Sequence, residues 1–319
     1  MRGLALASLG GLAALGVALC VMGATGAMGA AAITPITPVT PITPITMSDD
    51  RGKTVSLAGP ATRIVTLSPH LAEIVFAAGA GASLVGVSAR SDFPEDAQRL
   101  PVVSDSGRID LERIVALKPD LVLAWLSGNP ARQLELLERR GIAVLAVEVR
   151  RLDDIPRVLR LVGTAAGRGE PAEQVARQTA QSIRGLSARY AGLRKLRVFI
   201  EIWHEPLITV SGTHLISDVL QVCGGDNVYA RAGALTPAVS PETLLVLRPE
   251  VVIMSSGAGS EAEQAGRWRR LALLPAVQQG ALYELDPDLL HRQGPRLIEA
   301  ARRMCEHLER ARAAQGWRG

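Results

Sequence analysis

Histidine and cysteine are among the side chains that most often bind metals or take part in catalysis, and neither type clusters in this sequence. The five histidines are scattered along the chain at His70, His204, His214, His291 and His307. The sequence contains no G-x-S-x-G, no Walker loop and no H-E-x-x-H. Gly79-Ala80-Gly81 follows a predicted helix, whereas a phosphate-binding loop precedes one. Because these motifs are missing and the histidines are scattered, the sequence predicts no catalytic residues, no metal site and no resident cofactor.

The N-terminus has the pattern of an export signal. Arg2 precedes an apolar stretch from Leu4 to Met22, and Ala30-Ala31-Ala32 offers small residues for cleavage. We predict a signal peptide over residues 1–32. A permanent membrane anchor is the alternative, because the apolar stretch is close to spanning length. A lipid anchor is not predicted, because Cys20 follows Leu19, where lipid attachment requires a small residue.

Two cysteines remain after such a cleavage, Cys223 and Cys305. An even pair in an exported chain favours a disulfide, which would close a loop of about 80 residues and contribute roughly 4 kcal/mol. Two free, buried thiols are the alternative.

The charge pattern argues against nucleic acid as a partner. The formal net charge is +4, and the basic residues are spread over predicted helix surfaces. Aromatic residues make up 3% of the chain and do not interleave with a basic stripe. Each tryptophan in so aromatic-poor a chain is therefore a candidate for binding.

The order of predicted elements indicates an α/β protein. Residues 33–50 form a leader rich in Thr and Pro, which favours an extended spacer. Short apolar strands then alternate with helices, as in a parallel sheet. A long polar helix with a thin apolar stripe follows, and the strand–helix alternation restarts after it. We predict an N-terminal lobe over 51–165, a bridging helix over 166–192 and a C-terminal lobe over 193–319.

One segment occurs twice, once in each predicted lobe. Residues 111–125 are LERIVALKPDLVLAW, and residues 241–255 are PETLLVLRPEVVIMS. Each copy follows a capping residue, Asp110 or Ser240, and predicts a short helix, a proline that ends it and a buried strand. Each copy also has a glutamate at its second position, Glu112 and Glu242, where the helix dipole favours a carboxylate. We interpret the segment as one supersecondary unit used in two related lobes.

A two-lobed α/β protein without catalytic residues is expected to bind a ligand between its lobes. Ligands meet such sheets at loops that follow the carboxyl ends of the strands. The candidate ligand-binding residues on these loops are Arg90, Trp125, Trp203, His204, Asp288 and His291.

Several segments resemble a known family. RIVTLSPHLAEIVFAAGA, VGVSARSDFPEDAQ, LERIVALKPDLVLAW and QVCGGDNVY, in this order, are similar to the periplasmic vitamin B12-binding proteins of ABC importers, within the helical-backbone metal-receptor family of substrate-binding proteins. The resemblance implies two Rossmann-like lobes with central parallel sheets, joined by one long interlobe helix. It implies a monomeric periplasmic protein that binds a corrinoid, cobalamin above all, and is not an enzyme. An ABC permease–ATPase complex in the inner membrane would be its partner.

The resemblance also assigns roles to residues. It implies that Glu112 and Glu242 dock onto arginines of the permease, and that Cys223 and Cys305 form a disulfide. Trp125 matches a corrinoid-contacting tryptophan, and Asp288 falls near a ligand-contacting aspartate.

The candidate cleft also departs from that family. Arg90 replaces a tyrosine, and Ser106 and Thr236 replace tryptophans, while Trp203 and His204 would supply a replacement surface. Haem or a ferric siderophore is the alternative ligand, because Arg90, Arg292 and Arg296 could pair with carboxylates. An exported enzyme and an anchored sensory module are the alternatives from other classes.

Overall fold

The computed structural model describes residues 43–105, 107–255, 257 and 261–316. The predicted signal peptide, most of the predicted leader and Ser106 lie outside these residues. The described part begins with an antiparallel hairpin of β1 (Ile45–Ser48) and β2 (Thr54–Leu57). Met47 and Val55 bury their side chains in the core, so the last residues of the predicted leader belong to the fold.

The first lobe is built on a six-stranded sheet. Its strands are β3 (Ile64–Thr66), β4 (Leu84–Ser88), β5 (Val102–Asp105), β6 (Arg108–Ile109), β7 (Leu121–Trp125) and β8 (Ala143–Val147). Their order is β6-β5-β4-β3-β7-β8, parallel except at β6. Its helices are α1 (Pro69–Ala77), α2 (Leu111–Ala116), α3 (Ala131–Arg139) and α4 (Asp154–Ala165).

A long helix, α5 (Gly169–Tyr190), follows the first lobe. Its sparse apolar stripe is buried at Ala172, Ala176 and Ile183. The helix packs on α4 of the first lobe and then on two helices of the second lobe, α6 (Leu215–Val222) and α11 (Leu297–Ala314).

The second lobe has a four-stranded parallel sheet in the order β10-β9-β11-β12. The strands are β9 (Leu196–Glu201), β10 (Gly225–Asn227), β11 (Val251–Met254) and β12 (Leu282–Glu284). The remaining helices are α7 (Pro241–Leu247), α8 (Glu261–Arg269), α9 (Pro275–Gln278) and α10 (Pro287–Leu290). The predicted fold class is confirmed: two lobes with mainly parallel sheets are joined by one long helix.

The strand predicted over Asn227–Tyr229 is wrong by two residues, because β10 ends at Asn227. There the side-chain oxygen of Asn227 accepts the Tyr229 N–H at 2.8 Å and turns the chain.

The repeated segment forms the same structure in both lobes. Lys118 and Arg248 occupy equivalent positions after α2 and α7, and both have left-handed backbones, with φ of 48° and 47°. In each lobe the strand of the repeat, β7 or β11, pairs with the first strand of its parallel sheet, β3 or β9. The structure supports one unit used twice.

The two copies differ at their helix caps. Asp110 Oδ1 accepts the Arg113 N–H at 3.0 Å, as a capping side chain does. Ser240 has the same place before α7, but its hydroxyl lies 3.0 Å from the Thr243 hydroxyl and caps no backbone N–H.

The predicted disulfide is confirmed. Cys223 follows α6, Cys305 lies on α11, and their sulfur atoms are 2.04 Å apart. Both cysteines are fully buried, so the bond attaches the C-terminal helix to the core of the second lobe.

Candidate ligand-binding cleft

A cavity of about 640 Å³ lies between the two lobes, at the carboxyl ends of β7, β8 and β9. Its wall combines apolar side chains with polar ones, of which Glu148 and Arg150 are charged types. The lining residues are Trp125, Ser127, Glu148, Val149 and Arg150 of the first lobe, and Ile202, Thr213, His214, Leu215, Ile216, Leu235, Thr236, Leu290, His291 and Gln293 of the second. A cavity at this edge of the sheets is where the sequence predicts a ligand.

Trp125 is the aromatic side chain of this wall, and its ring is held from two sides. Its indole N–H donates to Glu148 Oε1 at 3.2 Å. The His70 ring meets the indole edge-on, with 5.4 Å between ring centroids. The Ser127 N–H donates to Glu148 Oε2 at 2.9 Å, so the same carboxylate also fixes the turn after β7. The tryptophan therefore presents a fixed face to the cavity.

Glu148 is a residue that the sequence analysis missed. It follows β8 directly and is largely buried, and its carboxylate joins β8 to the turn after β7. An acidic residue immediately after a buried apolar strand was the available signal, because the carboxyl end of a parallel strand faces the site.

His70 lies behind Trp125 and does not line the cavity. It is 5% exposed, and its Nδ1 lies 2.7 Å from the Ser68 hydroxyl. Burial, followed by the positive charge of Arg292, lowers the pKa of His70 to about 3. Its ring is therefore neutral at neutral pH and serves as packing for the tryptophan.

His214 and His291 line the second lobe's side of the cavity. His214 Nδ1 accepts the Ile216 N–H at 3.1 Å. Burial, and then the nearby His291, lower the pKa of His214 to about 4. His291 is open to the cavity, yet desolvation by surrounding protein lowers its pKa too, against the opposing effect of Asp288. Both imidazoles are neutral at neutral pH.

Of the six predicted ligand-binding residues, the structure brings Trp125 and His291 together in this cavity. Arg90 is exposed, has a left-handed backbone with φ of 63°, and does not line it. Asp288 accepts the Arg292 guanidinium N–H at 2.9 Å and is likewise outside the lining.

Trp203 and His204 also lie outside the cavity. Trp203 is 55% exposed, and its indole N–H donates to the Glu205 carbonyl at 3.0 Å. His204 lines a separate pocket of about 110 Å³, together with Glu201 and Trp268. The structure thus gives no support to the predicted replacement surface.

Arg292 connects the lobes beside the cavity. Its guanidinium donates to Glu73 at 3.0 Å and to Asp92 at 2.6 and 3.1 Å, both in the first lobe. Arg296 also donates to Glu73, at 3.2 Å. Desolvation raises the pKa of Glu73 although both arginines oppose this effect. Arg292 is thus committed to protein carboxylates, contrary to the hypothesis that it pairs with a ligand.

Glu112 and Glu242 are exposed on α2 and α7. Hydrogen bonds from its own backbone N–H and from Ser240 lower the pKa of Glu242, so it is ionised at neutral pH. Exposed apolar side chains accompany both glutamates: Val115 follows Glu112 by one helical turn, and Leu245 and Val246 follow Glu242.

Across the described residues, no helix is both long and apolar enough to cross a membrane. The same part of the chain holds no group of three or more His, Cys, Asp or Glu side chains placed to bind a metal ion.

Paired α/β lobes, one long connecting helix and a cavity at the strand ends define the class of substrate-binding proteins. The chain belongs to the periplasmic binding protein family, whose sequence profile matches residues 64–289.

Members of this family with sequences similar to this chain include vitamin B12-binding proteins of Vibrio species. The chain is 36% identical over 250 residues to the vitamin B12-binding protein of Vibrio parahaemolyticus, covering 78% of this chain and 90% of that one. It is 37% identical to the vitamin B12-binding protein of Vibrio vulnificus, covering 80% and 93%. The crystal structure of the periplasmic vitamin B12 binding protein of Vibrio cholerae matches with a TM-score of 0.75 and 35% identity, covering 79% and 98%.

More distant structures share the fold. The periplasmic heme-binding protein RhuT of Roseiflexus matches with a TM-score of 0.70 and 24% identity, covering 79% of this chain and 99% of that one.

Proposed function

We propose that this protein captures a corrinoid, cobalamin above all, in the cleft between its lobes and delivers it to an ABC permease–ATPase complex in the inner membrane. The names of its relatives at 35–37% identity support this ligand class. The observation that carries the proposal is the wall of the cavity, which offers one fixed indole face, aliphatic side chains and neutral hydrogen-bonding groups, with Glu148 and Arg150 as its charged side chains. A corrinoid has a broad, mostly apolar face with amide edges, which this wall complements.

The same wall disfavours haem as the ligand. Two propionates would require cationic partners in the cavity. Arg150 is the one arginine or lysine among the described lining residues. Arg292 is engaged by protein carboxylates, and Arg296 contacts Glu73 and the Phe93 ring. The likeness to haem-binding structures at 24% identity is a likeness of fold.

A calorimetric titration of the purified mature protein tests the ligand class. We expect cobalamin and cobinamide to bind at micromolar or lower concentration, and haem and a ferric siderophore to give no saturable heat. Saturable binding of haem without binding of either corrinoid would overturn the proposal.

The partner and organisation of the molecule belong to the same proposal. Glu112 and Glu242 would each pair with an arginine of the permease, and their exposed positions on equivalent helices support this. The protein would act as a periplasmic monomer after removal of residues 1–32. Lobes over 51–165 and 193–319 would remain joined by the helix region 166–192, which limits how far the cleft can close.

A further inference from the structure

His291 is presented to the cavity by a fixed piece of backbone. Its N–H donates to the Pro287 carbonyl at 2.9 Å, at the end of α10. Leu290, directly before it, is buried at 1% exposure. Arg292, directly after it, donates to the carboxylates of Glu73, Asp92 and Asp288. The segment is therefore held on both sides of the histidine, as a preorganised binding group requires.

The imidazole of His291 nevertheless has no hydrogen-bond partner among the described residues, although it lines the cavity. A neutral imidazole has one nitrogen that carries a proton and one with an available lone pair. In His291 neither nitrogen is occupied by another of the described residues. A group that the structure fixes in place but leaves unbound is suited to contact a ligand.

His214 provides an internal comparison. Its Nδ1 accepts the Ile216 N–H, so the lone pair of that nitrogen is occupied. In the neutral ring the proton is then on Nε2, and His214 can donate a hydrogen bond but has no lone pair to offer a metal. Of the two histidines that line this cavity, His291 has a nitrogen lone pair available for a metal, whereas His214 does not.

Resting on the proposed function, we propose that His291 is an axial ligand of the cobalt in the bound corrinoid. His291 would bind by ligand exchange: an imidazole nitrogen donates its lone pair to cobalt, and a water molecule leaves the same axial position. The oxidation state of cobalt does not change, and no proton is transferred. A neutral ring is required, since a protonated imidazole has no lone pair.

The proposal is tested with diaquacobinamide, a corrinoid that lacks its own nucleotide base and has exchangeable water on cobalt. Wild type, His291→Gln and His214→Gln are compared by visible absorbance during titration and by equilibrium dialysis. We expect a shift of the corrin absorption bands with wild type and with His214→Gln. We expect no shift with His291→Gln, together with an affinity weaker by about tenfold. Glutamine keeps polarity and approximate size, so loss of the shift isolates the imidazole.

A second readout identifies the donor atom directly. In the electron paramagnetic resonance spectrum of cob(II)inamide bound to wild type, an axial nitrogen splits each cobalt line into a triplet, and this splitting should disappear in His291→Gln. Cobinamide that is retained by wild type without a band shift would overturn this inference and leave the proposed function standing. An equal shift with His291→Gln would also overturn it. No retention of any corrinoid would overturn the proposed function and the inference together.

Discussion

Trp125 has its indole N–H and one ring edge committed to the first lobe, so its remaining face is the contact surface that a flat ligand would meet. We expect Trp125→Ala to weaken cobalamin binding by about 2 kcal/mol, about thirtyfold in Kd, through loss of aromatic packing. Calorimetry measures this change.

Trp203→Ala is the matched control, because Trp203 is a tryptophan near the carboxyl end of β9 that lies outside the cavity lining. Its removal should change Kd by less than about twofold. A larger loss with Trp203→Ala than with Trp125→Ala would show that the ligand lies elsewhere.

Histidine burial predicts a dependence of stability on pH. The folded pKa of His70 is lowered to about 3, so its contribution is complete above the unfolded value of about 6.5 and is lost as the pH falls below that value. At pH 5 the loss is about 2 kcal/mol from His70. His214 adds to it in the same direction, and Glu73, with its raised pKa, opposes it.

Urea denaturation at pH 7.5 and pH 5 measures this effect. His70→Gln should be less stable than wild type at pH 7.5 but should lose less stability on acidification. An identical loss in both proteins would refute the assignment to His70.

At the scale of elements, α2 and α7 are equivalent helices on different lobes, each with an exposed glutamate at its second position. We expect Glu112→Lys and Glu242→Lys to reduce corrinoid uptake by cells and to leave cobalamin affinity unchanged, because charge reversal would act on docking alone. Uptake assays and calorimetry on the same variants separate the two effects.

Glu170→Lys is a suitable control, since Glu170 is an exposed glutamate at the second position of α5. It should support normal uptake. Loss of cobalamin affinity in the Glu112 or Glu242 variants would remove these residues from the docking proposal.

The elements were predictable because the apolar runs and helix signals are local. The orientation of side chains at the ends of the elements was less so. Trp125 ends the apolar strand β7, and Trp203 lies two residues after the apolar strand β9. Around Trp203, the Ile202 N–H donates to the Ile208 carbonyl and the Ile208 N–H donates to the Trp203 carbonyl. Successive residues of an extended chain point to opposite sides, so Ile202 faces the cavity and Trp203 does not. The place of Glu148 after a buried strand was a local signal, but its hydrogen bonds to the turn after β7 depend on the pairing of β8 beside β7, which no local pattern contains.

At the scale of the whole molecule, direct contacts tie the lobes together beside the cavity. The Leu152 N–H donates to Asp218 Oδ2 at 2.8 Å, and Arg151 pairs with the same aspartate at 3.1 Å. Arg292 forms the second tie through Glu73 and Asp92. The long helix therefore acts together with these polar contacts in setting the spacing of the lobes around the ligand.

The ion pairs that Arg292 forms between the lobes predict a large energetic coupling between Arg292 and Glu73. Arg292→Met leaves the Glu73 carboxylate buried with Arg296 as its one remaining cationic partner, which should cost about 3 kcal/mol of unfolding free energy. Glu73→Gln should cost less, because Arg292 keeps Asp92 and Asp288. The unfolding free energy of the double variant should exceed the value expected from adding the two single losses by at least about 1 kcal/mol. In the double variant neither charge is left buried without its partner.

Urea denaturation of the four proteins at pH 7.5 gives this coupling, and the exposed pair Arg189 and Glu309 is the control, with an expected coupling below about 1 kcal/mol.

Acidification supplies an independent signature. Arg292 opposes the rise in the pKa of Glu73, so its removal raises that pKa further. A raised carboxyl pKa means that stability is gained as the pH falls, and the deficit of Arg292→Met should therefore shrink between pH 7.5 and pH 5. Additive losses with a deficit independent of pH would mean that the cluster does not hold the lobes together through the Glu73 charge.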